Sequence, residues 1–281
     1  MMDRNAALEV SEWRSARFDV EGESIFAVGD VHGCARELQM LLATIAATAT
    51  PGASRRRLVY LGDMIDRGPE NLEVLRLWAE GEACRGVDRI DRIMGNHEQL
   101  LLLTTSDGPH ARKAEAMWLS ERMGGERVLE EMRASSGDAN ARPSLALLTD
   151  VLGQDVVGHL HGMRSHSAVG NALFVHGGLD PKVEPEEFLS RPWTSFTDAA
   201  WAWIMQGFLD WQGGFGGRIV VHGHTPPAKH RALTGQEDPH LLMFDRLGLD
   251  GGSALTSIVA GAQIEDGRYR VMRAGTPRRP D

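Results

Sequence analysis

Cysteine is almost missing from this 281-residue chain: Cys34 and Cys84 are its only two, and they have no CxxC spacing. A disulfide framework is excluded, and the scarcity suits a reducing compartment. Cys34 directly follows a glycine-rich motif, where packing at a helix start is the expected role and redox sensing the lesser one. Also missing is an excess of positive charge. With 30 Lys and Arg against 39 Asp and Glu, the formal net charge is −9, which argues against nucleic acid as a partner because phosphate-backbone binders cluster cations. The first twenty residues lack the apolar core of a secretory leader, and no run approaches the roughly 20 apolar residues of a membrane span. A soluble cytoplasmic protein, with no membrane partner, is therefore expected. There is no GxGxxG and no internal repeat.

What remains is a globular composition, 42% hydrophobic and 25% charged, long enough for one large α/β domain spanning 1–281. Five short stretches carry its chemistry: GDVHG (29–33), GDMIDRG (62–68), GNHE (95–98), HGG (176–178) and HGHT (222–225). A five-residue pattern such as GDxxDRG arises by chance about once in ten thousand chains of this length, given roughly one-in-twenty usage per residue type. Each stretch follows a short apolar run that reads as a buried strand: SIFAV, RLVYL, RIM, ALFV and RIVV. Helical patterns follow three of them, from Ala35, Asn71 and Glu98. In open α/β sheets the loops beyond the carboxyl ends of strands converge, which would let residues 30 and 224 share one site.

Between 104 and 167 the motifs stop, and two or three helices split by a loop read as a helical insertion within the domain. Trp193, Trp201, Trp203 and Trp211 crowd ahead of the last motif; a Trp-rich helix packed on the sheet is expected, with an aromatic rim on a substrate groove as the other reading. Final strands are expected at LLMF (241–244) and ALTSIVAGAQI (254–264), with RYRVMRA closing an edge and TPRRPD (276–281) frayed.

Cleaving a phosphomonoester near neutral pH calls for a strong nucleophile, charge neutralisation at the phosphoryl oxygens and an acid for the leaving oxygen. Two metals roughly 3.5–4 Å apart supply the first two. Such a pair needs a shared anionic ligand with hard oxygens and imidazole nitrogens, favouring Mn, Fe or Zn. Asp30, His32, Asp63, Asn96, His176 and His224 fit that inventory, and the neutral amide of Asn96 keeps the ligand charge low. The local field of the metals and a few arginines would draw in a phosphate that the net charge repels.

Over residues 25–260 these motifs resemble the calcineurin-like metallophosphoesterases, in particular the phosphoprotein-phosphatase group with its bacterial, lambda-type members. The resemblance implies two packed mixed β-sheets flanked by helices, an α-β-β-α sandwich with a helical insertion. It implies hydrolysis by direct attack of a metal-bridging hydroxide, with manganese the foremost cofactor and iron or zinc the others. Asp30 and His32 would hold the first ion, Asp63 would bridge, and Asn96, His176 and His224 would complete the second. His97 would protonate the leaving oxygen, Asp66 would hydrogen-bond His97 and raise its pKa, and Arg67 would grip the phosphoryl group, so that Arg67, Asn96 and His97 face the substrate. His222 is then a supporting residue. The segment FDRLGLDGGSALTS is similar to a stretch at the family's active-site floor, with Asp245 structural. His110, His159, His161, His166, His230 and His240 read as surface or satisfied core residues.

One position departs from the pattern: relatives carry Trp-Ile-Arg where this chain has WIM, so Met205 stands in place of a second phosphate clamp. Arg164, Arg191 and Arg218 are candidates to replace it. The substrate expected is a phosphorylated protein or peptide, or a small phosphoester. A symmetrical diadenosine-tetraphosphate hydrolase is the alternative, and a non-catalytic pseudo-phosphatase a third reading.

Overall fold

The computed structural model describes residues 7–275; the terminal TPRRPD lies outside them. Eleven strands occur among the described residues: β1 (Ala7–Val10), β2 (Arg14–Ser15), β3 (Ser24–Val28), β4 (Arg56–Tyr60), β5 (Arg89–Arg92), β6 (His166–Val169), β7 (Ala172–Val175), β8 (Ile219–His222), β9 (Arg246–Gly248), β10 (Ile258–Glu265) and β11 (Arg268–Gly275). One sheet runs β1-β11-β10-β3-β4-β5, with β2 also pairing β11, and the other runs β6-β7-β8-β9. The motif-bearing strands are parallel within each sheet: β3 with β4, β4 with β5, β7 with β8 and β8 with β9. Within each sheet the motif loops therefore leave at the same end.

Strand residues alternate between two apolar layers, as the two-residue period of a strand requires. Ile25, Ala27, Val59, Ala262 and Val271 of the first sheet pack with Phe174, Val221 and Leu247 of the second. Their neighbours Phe26, Val28, Leu58 and Tyr60 face the helices instead. With both faces covered, the parallel strands read as continuous apolar runs. The helix Ala35–Ala47 shows why its segment is helical: Ala35, Leu38, Leu41, Leu42 and Ile45 recur at three- and four-residue spacing and are buried together. The fold is the expected two-sheet sandwich flanked by helices.

Several sequence expectations shift. The third motif strand is Arg89–Arg92, not RIM; Ile93 makes only an isolated bridge to Arg164. LLMF is not a strand: Met243 bridges back to Arg246 in a turn, and the strand is Arg246–Gly248. RYRVMRA is not an edge, because β1 and β2 pair along its outer side. The ALT of that segment forms, with Ser253, the short helix Ser253–Thr256 ahead of β10. The segment with four tryptophans is mostly turns, with one short helix at Gln206–Leu209. Trp201 and Trp203 are buried by this irregular chain, while Trp193 and Trp211 are exposed. Between 104 and 167 there are four helices, Ala111–Trp118, Glu126–Ser136, Leu145–Leu152 and Gln154–His161. No helix among the described residues is long and apolar enough to cross a membrane.

Candidate active site

The five motifs leave their strands at one end and meet there. Asp30 follows β3, Asp63 follows β4, Asn96 and His97 open the helix Asn96–Thr104 after β5, and His176 and His224 follow β7 and β8. The loops approach so closely that side chains are barred between them. A Cβ on Gly62, which has φ +98°, would stand 2.4 Å from the Gly95 nitrogen. His32, Asp63, Asp66, Arg67 and His224 adopt left-handed backbone angles that non-glycine residues avoid. Such strain persists where the surroundings over-determine it, and it clusters at working sites. Glu98 supplies part of that restraint: its carboxylate accepts hydrogen bonds from the backbone nitrogens of Asp63 (2.9 Å), Met64 (2.7 Å) and Gly95 (3.1 Å).

Three histidines have their tautomers set by backbone carbonyls. His32 Nδ1 donates to Ile65 O at 2.8 Å, His176 Nδ1 to Leu61 O at 2.8 Å, and His224 Nε2 to Trp203 O at 3.2 Å. In the neutral ring each bond leaves the opposite nitrogen as a lone pair; of the three, His176 is pushed up rather than down, since burial alone would lower it but Asp63 beside its Nε2 outweighs burial. Those lone pairs point at other acceptors. His176 Nε2 lies 3.3 Å from Asp63 Oδ2 and 3.0 Å from Asn96 Oδ1, and His224 Nδ1 lies 2.9 Å from that same amide oxygen. His32 Nε2 is 3.7 Å from Asp63 Oδ2 and meets the guanidinium of Arg67 at 3.0 Å. Acceptors converging on acceptors in a buried place call for a shared cation, and the Arg67 contact shows that this corner takes positive charge.

Two groups of ligand atoms, each within 4.8 Å, emerge: His32, Asp63 and His97, and Asp63, His176 and His224. Asp63 belongs to both. Asp30 belongs to neither; its two oxygens both accept from the backbone nitrogen of His224 at 3.0 Å. The electrostatics agree with a cation site. Burial, Asp250 and Asp63 push the Asp30 carboxyl well above its usual range, and burial pushes Asp250 up to about 6. Three carboxyl groups crowded out of water are relieved by multivalent positive charge. Burial alone would raise Asp63, but the imidazoles of His176, His97 and His32 more than reverse it and hold it well below the carboxylate range. Burial lowers His32 to about 4 and His224 to about 3, which leaves both neutral and able to ligate at neutral pH.

His97 Nδ1 is 2.6 Å from Asp66 Oδ2. The hydrogen bond is the expected one; the expected rise in the His97 pKa is not found. Burial drives His97 well below its ordinary value and drives Asp66 well above, because neither charge is solvated at full burial. His222 is buried with Nδ1 on the Gly223 carbonyl and an unpartnered Nε2, away from both ligand groups. His230 and His240 are buried, as a core role requires. Asp245 pairs with Arg17 at 2.5 Å.

A cavity of about 470 Å³ opens over the groups, lined by Asp63, Arg67, Asn96, His97 and His224 and walled by Met123, Trp203, Met205 and Leu233. None of the three arginines proposed as a second clamp lines it. Arg164 pairs by backbone with Arg92 and Met94, Arg191 faces Glu187, and Arg218 faces Glu186. The further cations on the cavity are Arg122 and Lys229, which the sequence alone did not mark out. Also missed were Glu98, although it is the last letter of GNHE, and Trp118, whose only hint is the glycine pair that follows at 124–125.

The family model for calcineurin-like phosphoesterases matches residues 24–250. The symmetrical bis(5'-nucleosyl)-tetraphosphatase of Paracidovorax citrulli is 39% identical over 90 residues, 32% of this chain and 28% of that protein. Its counterpart in Chromobacterium violaceum is 39% identical over 85 residues, 30% and 27% respectively. The match spans little more than a quarter of the length of these curated relatives. Among solved structures, a cold-active protein-tyrosine phosphatase of a psychrophilic Shewanella sp. has TM-score 0.54 at 18% identity, covering 89% of this chain and 80% of that one. A protein serine/threonine phosphatase from Saccharomyces cerevisiae has TM-score 0.53 at 13% identity, covering 92% and 82%. At these identities the likeness is one of fold.

Proposed function

This chain belongs to the calcineurin-like phosphoesterase family, and from that premise we propose that it is a two-metal phosphoric ester hydrolase. The observation that carries the proposal is Asp63, the one residue common to both converging ligand groups. Asp30, His32, Asn96, His176 and His224 complete the proposed ligand set, with manganese first and iron or zinc after it; His97, though within the first group, is held by Asp66 and kept for the proton, and Asp30 is brought in as a buried carboxyl crowded by Asp250 and Asp63. Two divalent ions, when bound, supply Lewis acidity toward the phosphoryl oxygens and activate water at neutral pH.

The protein's own groups do the rest. Arg67, on the cavity beside His32, grips the phosphoryl oxygens through charge-assisted hydrogen bonds. His97 hands a proton from Nε2 to the leaving oxygen, because its Nδ1 is engaged by Asp66. The pair holds two protons whether written as imidazolium and carboxylate or as neutral ring and carboxylic acid. Burial favours the neutral form, so the proton is given up only as negative charge grows on the leaving oxygen.

The favoured substrate is a phosphomonoester, a phosphorylated protein side chain among them, for whose single phosphoryl group Arg67, Asn96 and His97 on the cavity offer polar contacts. A second reading, hydrolysis of a dinucleoside polyphosphate, is supported by the curated relatives and by Arg122 and Lys229 on the same cavity. Turnover of p-nitrophenyl phosphate, a phosphopeptide and diadenosine tetraphosphate by one Mn-loaded preparation tests both. A higher kcat/KM for the phosphopeptide upholds the first reading, and a higher value for the dinucleotide replaces it with the second. No turnover of any of them overturns the proposal.

A further inference from the structure

The helical insertion touches the DR pair of GDMIDRG at three places. Trp118, the last residue of its first helix and fully buried, aims its indole N–H at Asp66, with Nε1 3.0 Å from both Oδ1 and Oδ2. Gly124 accepts a hydrogen bond from the Arg67 backbone nitrogen at 3.3 Å, and the Arg122 carbonyl accepts from the Arg67 guanidinium at 3.4 Å. Asp66 and Arg67 are consecutive left-handed non-glycine residues, φ 75° and 66°, so this corner needs holding from outside its own loop. The turn that holds it is itself shaped for close approach. Gly124 has φ +77°, and a Cβ there would stand 2.9 Å from Arg67 Cγ; a Cβ on Gly125 would stand 2.4 Å from the Trp118 ring.

We propose that the insertion serves the catalytic site through Trp118, a positioning residue whose indole N–H orients the Asp66 carboxyl so that Oδ2 faces His97 Nδ1. The indole is the one side chain outside the motif loops recorded on this carboxyl among the described residues, and it never reaches the substrate space: it is absent from the cavity lining. Without its N–H, Asp66 is free to turn, and His97 loses the partner that fixes its ring and its proton. This inference rests on the reading of His97 as the acid.

Trp118→Phe removes the N–H and keeps an aromatic ring. In the Mn-loaded enzyme it should lower kcat for an alkyl phosphate by about 10- to 100-fold, the range expected when a buried polar group is left without its hydrogen-bond donor. It should lower kcat for p-nitrophenyl phosphate much less, because a good leaving group needs little protonation. KM and inhibition by inorganic phosphate should hold, since Arg67 still binds the phosphoryl group. In a His97→Asn background the same substitution should cost almost nothing further. If both substrates lose rate equally, or the loss persists undiminished in the His97→Asn background, the indole only fills space and the proposal is overturned. If Trp118→Phe does not fold, β-(3-benzothienyl)alanine at position 118, which replaces N–H by sulfur in a ring of the same shape, gives the same test. His97→Asn by itself separates the two levels. Leaving-group dependence in that variant, with an indifferent Trp118→Phe, removes only this inference; no such dependence removes the acid reading beneath it.

Discussion

At the residue scale the roles proposed for His97 and Arg67 divide, one handling a proton and the other a charge. His97→Asn should leave metal content intact and lower turnover by roughly 10²–10⁴, the usual worth of a placed general acid. The loss should be larger for an alkyl phosphate than for p-nitrophenyl phosphate, which steady-state kinetics on the two substrates will read. Equal losses would mean that His97 positions rather than protonates. Arg67→Ala should cost about one to two decades in kcat/KM, corresponding to a charge-assisted contact of ~1.5–3 kcal/mol. Inhibition by inorganic phosphate should weaken with it; an unchanged inhibition constant would show that the ions alone hold the anion.

Among the elements, β4, β5 and β6 are tied by one buried carboxylate. Asp91 Oδ2 accepts from Arg57 Nη1 on β4 and from Ser167 Oγ on β6, both at 2.7 Å, while Arg57 also forks onto Glu23 at 2.7 and 2.8 Å. This joins the edge of the first sheet to the start of the second. Burial by itself would raise the Asp91 carboxyl, but the hydrogen bonds from Ser167, Arg57 and Arg89 outweigh it and hold it below its ordinary value. A carboxyl depressed in the folded state stabilises the fold fully above its unfolded pKa, about 3.9, and the contribution fades as pH falls through the lower folded value. Asp91→Asn should therefore lower Tm at pH 7 and lower it much less in the window below about pH 4. Melting curves across pH 3–7 check this, and a Tm deficit that is constant with pH would sink it.

Across the whole molecule, the proposed ligands come from both sheets: Asp30, His32, Asp63 and Asn96 from loops of the first, His176 and His224 from the second. Metal binding should then brace one sheet against the other. Reconstitution with Mn should give two ions per chain and raise Tm, since ligand at 100 times its Kd stabilises by about 2.7 kcal/mol. Chelation should reverse the shift. Asp63→Asn should weaken both ions together, whereas Asn96→Ala should weaken one. Metal analysis with thermal melts decides it: one ion per chain at saturation, or no change in Tm, would count against the bridging role of Asp63.

The sequence by itself determined the cast of the proposed site and the strand-loop-helix frame that carries it, because both depend on short-range order. A motif such as GDMIDRG packs its chemistry and its turn glycines into seven residues, and an apolar run such as SIFAV ahead of it marks a strand buried on both faces. The tertiary structure decided everything that depends on residues far apart in the chain. RYRVMRA looked like an edge because the partner that covers it, ALEV, lies some 260 positions away and has no pattern of its own. The tryptophan segment had helical residues but no single partner surface, so it folded as turns around Gln99, His224 and the cavity. The further cations of the cavity could not be traced from composition, since Arg122 and Lys229 reach it only through the packing of the insertion and the helix Pro227–Thr234. Burial, which no local pattern records, set the His97 pKa in the direction opposite to that expected from its carboxylate neighbour. Trp118 belongs to the same class: its value lies in a 3.0 Å contact with Asp66 across 52 residues of chain, and only close packing of the insertion on the motif loop could create it.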